Sequence, residues 1–406
     1  MSKAPRVGMF GLLGSGNLGN DVSMESVLHY LRTDHPEAIV DVMCKGPETV
    51  TGRYGVPAVF MNWYQRYEKT ASGLPAILLK SAGKGIDVFR TAAWVRRHDI
   101  VIMPGMGTME ASLPLKSWGL PYSFFLACTA GKLFGVKVAF VSIGAGVVKR
   151  RATRVLLDAS AKLATYRSYR DAPSRDMLRE RGVDTSRDHV YSDLAFGIPP
   201  LPCGPGDPDI VGVGVMGYRG SNDDRKQAEA IHAAYVATMK SFVRWLIDND
   251  RSVRILIGDE NEPDKLVGEE ILADVRAYRP DLPPGRVEAA YATTFQELMR
   301  VMAPAGTVVA TRFHSVVCAL RLGKPVIGLS YAPKFAALLA NMGLTEFCQS
   351  AKAPDLDVLI AQFTELEKRQ EELRQAIAEG NAAYERDVAA QFAELSTVLF
   401  GPAGGR

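Results

Sequence analysis

At 406 residues, 47% of them hydrophobic and 23% charged, the chain holds enough apolar material for two substantial cores. Its formal charge of +3, from 48 basic and 45 acidic residues, is too balanced to call for a nucleic-acid partner, although small anions can still find local basic sites. The five cysteines, Cys44, Cys128, Cys203, Cys318 and Cys348, are widely spaced with no C-x-x-C pair, which speaks against a disulfide framework or a zinc site and for a reducing, cytoplasmic compartment.

Short apolar runs alternate with amphipathic helical stretches over most of the length, the mark of crossover units on a mainly parallel sheet. The first run, 7–10, follows Arg6 with no apolar targeting segment and cleavage site before it. Further strands are expected near 39–44, 99–103, 137–143 and 166–169, with helices near 21–32, 120–134, 152–164 and 173–181. The aromatic stretch 53–84 gives no clear period. Residues 120–134 come nearest to a membrane span, but Thr129, Gly131 and Lys132 interrupt a run that would need roughly 18 apolar residues, so a buried core helix is expected and no span. Two basic runs, Arg96-Arg97-His98 and Lys149-Arg150-Arg151, stand at element ends and read as solvated faces.

The Pro- and Gly-rich stretch 199–208 can neither sustain a helix nor supply the donors of a central strand, so it reads as the linker between a first domain, 1–200, and a second, 201–350. The alternation then resumes. Strands are expected near 210–215, 253–257, 307–311 and 325–329, and helices near 224–249, 263–278, 294–302 and 314–322, with Gly323 closing the last. A tail, 351–406, is helix-rich over 355–400. Leu359, Phe363, Leu366, Leu373 and Ile377 lie at core-like spacing and Gly380 is a possible break, so the tail is expected to pack on the body rather than form a coiled coil.

Ligands of open parallel sheets bind beyond the carboxyl ends of strands, so the loops there carry the functional weight. Gly14-Ser15-Gly16-Asn17-Leu18-Gly19-Asn20-Asp21 follows the first strand and enters a helix; its glycines allow positive φ, while Asn17 and Asp21 can cap the helix or meet a hydroxylated ligand. The letters G-x-G-x-x-G also fit a dinucleotide loop, with Asp41 about 22 residues beyond Gly19 as a ribose-binding acid. Against that reading, Asn17, Asn20 and Asp21 put polar groups where such a loop wants a plain backbone turn, and a turn used only for packing is the third alternative. Pro104-Gly105-Met106-Gly107-Thr108-Met109-Glu110 and Gly144-Ala145-Gly146 follow the next strands; Glu110 can accept from a sugar hydroxyl or serve as a base, or simply be solvated. A fourth loop, 214–220, follows the first strand of the second domain.

Thr311-Arg312-Phe313-His314-Ser315 sets a permanent cation beside a titratable imidazole where a strand hands over to a helix. Unpaired backbone N–H groups, the positive end of the helix dipole and a planar fork of donors all suit an anion there. Lys334, about 20 residues beyond His314, follows the neighbouring strand and completes a trio around one phosphate. Arg170, in Arg170-Asp171-Ala172-Pro173-Ser174, ends a strand and is expected to point into the cleft between the domains. A salt-bridged, purely structural Arg312 is the alternative.

Taken together, the opening glycine loop, Pro104-Gly105-Met106-Gly107-Thr108, Arg170-Asp171-Ala172-Pro173-Ser174 as R-D-x-x-S, and Arg312-Phe313-His314 as R-[LF]-H resemble the polysaccharide pyruvyl transferase family. The chain departs from it at Gly19-Asn20-Asp21, where Gly-Asp-Glu is common, and at Met106, which interrupts a run of three glycines; both lie on the presumed acceptor side. The resemblance implies two Rossmann-like α/β domains facing a cleft, GT-B-like, with phosphoenolpyruvate as co-substrate and no other cofactor. It implies a carbohydrate acceptor, free or lipid-linked with peripheral membrane association. On this reading Arg312, Lys334 and Arg170 hold phosphate and carboxylate, and His314 gives a proton or binds phosphate. Phe313 joins them from its place in R-[LF]-H; Gly14, Ser15, Gly16, Asn17, Gly105 and Gly107 form the acceptor loops, and Glu110 or Asp21 is the base. A nucleotide-sugar glycosyltransferase and a non-catalytic carbohydrate-binding protein on the same fold are the alternatives.

Overall fold

A computed structural model describes residues 4–67, 73–105, 117–258 and 262–401. The chain forms two compact units, one of residues 1–15, 19–198 and 385–406, the other of 16–18 and 199–384.

In chain order the first unit runs β1 (Arg6–Gly11), α1 (Leu18–Asp34), β2 (Ile39–Cys44), α2 (Pro47–Tyr54), β3 (Ala58–Phe60), α3 (Gly73–Val95), β4 (Ile100–Pro104), α4 (Leu120–Phe134), β5 (Lys137–Ile143), α5 (Arg151–Leu163), β6 (Tyr166–Tyr169), α6 (Ala172–Glu180) and β7 (His189–Val190). Its seven strands are ordered β3-β2-β1-β4-β5-β6-β7 and every pair is parallel. β4 is buried at every residue, the continuous apolar run expected when helices cover both faces of a sheet.

The second unit repeats the pattern. β8 (Asp207–Gly214), α7 (Ala228–Asp248), β9 (Ser252–Ile257), α8 (Glu262–Tyr278), β10 (Val287–Tyr291), α9 (Phe295–Met302), β11 (Ala305–Ala310), α10 (Phe313–Arg321), β12 (Val326–Ser330), α11 (Lys334–Asn341) and β13 (Cys348–Ser350) build a parallel sheet in the order β10-β9-β8-β11-β12-β13. In both sheets the chain runs outward on one side and then restarts on the other, so β1/β4 and β8/β11 are the points where strand order reverses.

Several expectations need adjusting. The central strand β8 starts within the proline-rich stretch, at Asp207, and includes Pro208; the pairing Ala305 with Asp207 jumps to Thr307 with Val211, so the proline falls in a bulge where no ladder donor is needed. The stretch 53–84 holds the end of α2, β3, a 3-10 turn at Trp63–Tyr67 and the start of α3. In the run Arg96-Arg97-His98 the arginines are exposed but His98 is 4% exposed, its ring bonded to the Trp94 carbonyl at 2.8 Å and to Asp41 at 3.0 Å.

The tail forms α12 (Leu356–Lys368) and α13 (Gln370–Phe400). Gly380 does not break α13: a Cβ there would sit 2.4 Å from Met342 Sδ, so the glycine permits close helix packing instead. The end of α13 packs on the first sheet. Gln391 Nε2 donates to Ser168 Oγ at 2.7 Å, the Tyr166 and Tyr191 hydroxyls donate to Glu394 at 3.0 and 2.8 Å, and Lys137 Nζ meets the carbonyls of Val398 and Leu399 at 2.9 and 2.8 Å. This last contact places a cation at a helix C-terminus.

Candidate active site

In the second unit, Thr311 extends β11 by donating its N–H to the Gly214 carbonyl of β8 at 3.0 Å. The buried Tyr235 hydroxyl of α7 lies 2.7 Å from Thr311 Oγ1 and accepts the Met216 N–H at 3.2 Å, so one side chain ties together the ends of the two strands at the reversal point. Burial pushes that hydroxyl up to about 12, which keeps it neutral at ordinary pH.

Arg312 is the N-cap residue of α10, extended at φ −76° and ψ 131°, so its side chain leaves the helix at its positive end. Its guanidinium makes a bidentate pair with Asp264 near the start of α8, Nε to Oδ2 at 2.7 Å and Nη2 to Oδ1 at 2.8 Å. Asp264 is 0% exposed and Oδ1 also accepts the Gly217 N–H at 2.8 Å, so the carboxylate fixes both the arginine and the loop after β8. The structural pairing weighed for Arg312 is therefore present; the Arg312 side chain remains 22% exposed, so pairing and ligand binding are compatible.

His314 follows one residue into α10, its ring edge-on to that of Phe313 with centroids 5.3 Å apart. Lys334 is the first residue of α11, and its Nζ stands 4.5 Å from the Phe313 ring centroid, a cation–π contact. Phe313 thus carries an imidazole and an ammonium on one ring, and Arg312, paired with Asp264, precedes it in the same unit. Tyr218, from the loop after β8, stacks on Tyr331 at 6.2 Å, and burial raises its hydroxyl above the usual tyrosine range.

Arg170 belongs to the other unit. Its side chain is 9% exposed, with Nε 3.8 Å from Asp171 and Nη1 4.0 Å from Asp193. The rest of R-D-x-x-S works on the backbone: Asp171 caps α6 by accepting the Ser174 N–H at 2.7 Å, and Ser174 Oγ accepts the Ala145 N–H at 2.9 Å, holding the loop Gly144-Ala145-Gly146.

The opening loop is likewise braced from within. Gly14 has φ +64°, and a Cβ there would lie 2.3 Å from the Gly46 carbonyl oxygen, so only glycine fits. Asp21, 1% exposed, accepts the Gly14 N–H at 2.7 Å; in this arrangement it holds the loop. Ser23 Oγ donates to the Gly105 carbonyl at 2.7 Å and so joins the loops after β1 and β4. Ser15, Gly16 and Asn17 are part-exposed between these anchors. Gly107 and Glu110 lie outside the described residues.

The dinucleotide alternative loses its acid. Asp41 is the third residue of β2 rather than at its carboxyl end, and it accepts from Trp94 Nε1 at 2.7 Å and pairs with His98. Among the described residues, no group of three or more His, Cys, Asp or Glu side chains could hold a metal ion. Sequence reasoning missed Asp264 and Tyr235. An acid in the first turn of a helix reads as a dipole companion, and a tyrosine in a mid-helix apolar stripe reads as core, so neither announced its partner.

The family model described as polysaccharide pyruvyl transferase matches residues 17–333, a span that contains Asn17, Arg170, Arg312, His314 and Asp264. The chain belongs to that family. No curated protein matches it. Among solved structures, the chain is similar to a putative UDP-N-acetylglucosamine 2-epimerase from Listeria monocytogenes, at 10% identity and TM-score 0.62 with 98% of each chain covered. It is also similar to the UDP-GlcNAc 2-epimerase from Neisseria meningitidis bound to UDP-GlcNAc, at 11% identity and TM-score 0.60, covering 97% of this chain and 99% of that one. TcCGT1 in complex with UDP gives 12% identity and TM-score 0.57, with 98% and 99% covered. At these identities the likeness establishes the fold, an α/β pair of parallel sheets of GT-B type.

Proposed function

We propose that this pyruvyl transferase family member moves the pyruvyl group of phosphoenolpyruvate onto two hydroxyls of a carbohydrate, forming a pyruvate ketal. The observation that carries the reading is that Phe313 meets both the His314 ring and the Lys334 ammonium, directly after Arg312 at the end of β11. Phosphoenolpyruvate bears a phosphate and a carboxylate, and this group offers a guanidinium fork, an ammonium and the N-terminus of α10 to receive them.

The chemistry asks for a proton at the methylene carbon C3, which leaves a cationic centre at C2. One sugar hydroxyl attacks C2 and loses its proton; the C2–O bond to phosphate then breaks, and a second hydroxyl attacks C2. Of the two hydroxyl protons released, one balances that taken up by C3 and the other leaves on phosphate. We assign the C3 proton to His314 and charge stabilisation at the departing phosphate to Arg312 and Lys334. Ser15, Gly16 and Asn17, with Gly105 and Gly107, are assigned to the sugar, Arg170 to the donor carboxylate, and Glu110 to the accepting base.

Phosphate release from phosphoenolpyruvate across a panel of glycans tests the reading. Acceptor-dependent release supports it. Silence across the panel together with no calorimetric binding of phosphoenolpyruvate would refute it. His314→Ala should abolish release while keeping donor binding; loss of both would reassign His314 as a phosphate ligand. The likeness to UDP-bound structures favours a second reading, a nucleotide-sugar transferase, which requires thermal stabilisation by UDP and none by phosphoenolpyruvate.

A further inference from the structure

The first unit carries a surface for which the proposed reaction has no use. The connections β3 to β4, β4 to β5 and β5 to β6 all step the same way across the sheet, so their right-handed crossovers lay α3, α4 and α5 in one layer. α4 packs against both of its neighbours. The outer side of this layer exposes large apolar side chains at rates unusual for a solvated helix: Leu78 at 63% and Phe89 at 78% on α3, Leu133 at 74% on α4 and Val155 at 56% on α5.

Within residues 76–98 and 117–165 the exposed charges are basic, with an exposed acid, Asp99, just past α3. Arg96 and Arg97 stand exposed just past α3, and the Arg96 guanidinium lies 5.8 Å from the Phe134 ring centroid, joining the ends of α3 and α4. Lys132 is exposed beside Leu133, and Lys149, Arg150, Arg151 and Arg154 are exposed at the start of α5. Segments 76–98 and 117–165 contain two acids, Asp87 and Asp158. Both turn inward. The Asp87 side chain is 3% exposed and accepts the Trp63 N–H at 2.7 Å beside Arg90, while Asp158 is 16% exposed and pairs with Arg181. In a chain whose total charge is only +3, these three helices carry exposed cations and turn their own two acids inward, with Asp99 and Glu180 exposed at the margins.

We infer that the outer side of α3, α4 and α5 is a peripheral docking surface for a membrane rich in anionic lipid. Phe89, Leu78 and Leu133 enter the boundary between headgroups and acyl chains, and the arginines and lysines meet the lipid phosphates. A second copy of this chain fits poorly, because a two-fold contact would set like charges against each other. A nucleic acid would leave the exposed leucines and Phe89 without a partner. Among the described residues no helix is long and apolar enough to cross a membrane, so the contact is one of surface adhesion.

The test is co-sedimentation of the full chain with phosphatidylcholine vesicles, with and without phosphatidylglycerol. Binding should require the anionic lipid and weaken as salt is raised. Arg150→Glu combined with Arg151→Glu should lower partitioning by at least about tenfold, and Phe89→Glu with Leu133→Glu should lower it by about as much with the circular dichroism spectrum unchanged. Equal binding to neutral vesicles, no binding, or variants that bind like the parent would each overturn the inference. So would a concentration-dependent dimer abolished by Phe89→Glu, or an oligonucleotide bound as tightly as the anionic vesicles. None of these outcomes depends on turnover of phosphoenolpyruvate.

Discussion

The two sheets restart their strand order at equivalent points, β1/β4 and β8/β11, and put different chemistry there. In the first, the loops are glycines whose polar neighbours turn back on the backbone, as Asp21 does to Gly14 and Ser23 to Gly105. In the second, Arg312, His314 and Lys334 stand at the starts of two helices, steadied by Asp264 and Phe313. The two reversal points therefore differ in their side chains: the second gathers basic groups at helix starts, and the first presents a glycine loop with part-exposed Ser15 and Asn17.

The sharpest way to break the comparison is to remove an arginine from each half. Arg312→Ala leaves Asp264, 0% exposed, without its countercharge and should cost about 3–5 kcal/mol of stability in urea unfolding. Arg170→Ala removes a side chain 9% exposed but leaves behind Asp171 and Asp193, which at 35% and 12% exposed can rehydrate, and should cost less, about 1–3 kcal/mol. Equal costs would erase the distinction. Next in size, Gly14→Ala forces a Cβ onto the Gly46 carbonyl at positive φ and should cost about 2–3 kcal/mol while leaving the calorimetric affinity for phosphoenolpyruvate unchanged.

Tyr235→Phe unties Thr311 from Met216 and should cost about 1–2 kcal/mol. It carries a pH signature. The buried hydroxyl titrates at about 12, against about 10 in the unfolded chain. Burial favours the neutral form, so its contribution is complete below pH 10 and is lost as pH rises from 10 to 12; unfolding midpoints between about pH 8 and 11 should show that decline in the parent and less of it in the variant. Last, Lys334→Met removes a cation–π contact of about 0.5–1 kcal/mol and should weaken phosphoenolpyruvate binding about fivefold or more.

Much of this was legible in the chain itself, for identifiable reasons. The limits of β2, β5, β6 and α4 coincide with 39–44, 137–143, 166–169 and 120–134, helped by Gly119 and Gly135 around α4 and by Lys45, Gly144 and Arg170 after the strands. α3 was hidden by Gly83 and Gly85 inside the helix, a composition that lowers helix propensity; Gly83 stays because a Cβ there would already crowd Trp63 at 3.3 Å. The edge strands β3 and β10 are part-exposed, so they lack the continuous apolar run that marks β4. In the site, the cations were visible as local motifs, whereas Asp264 reaches Arg312 from 48 residues away and only the fold supplies that pairing.

The most direct measurement is a calorimetric titration of phosphoenolpyruvate into the intact chain and its Arg312→Lys variant, with UDP as the competing ligand. The account predicts saturable phosphoenolpyruvate binding, about tenfold or more weaker once the guanidinium fork is replaced by a point charge, and no comparable heat from UDP. Binding of UDP without binding of phosphoenolpyruvate, or phosphoenolpyruvate affinity indifferent to residue 312, would contradict it.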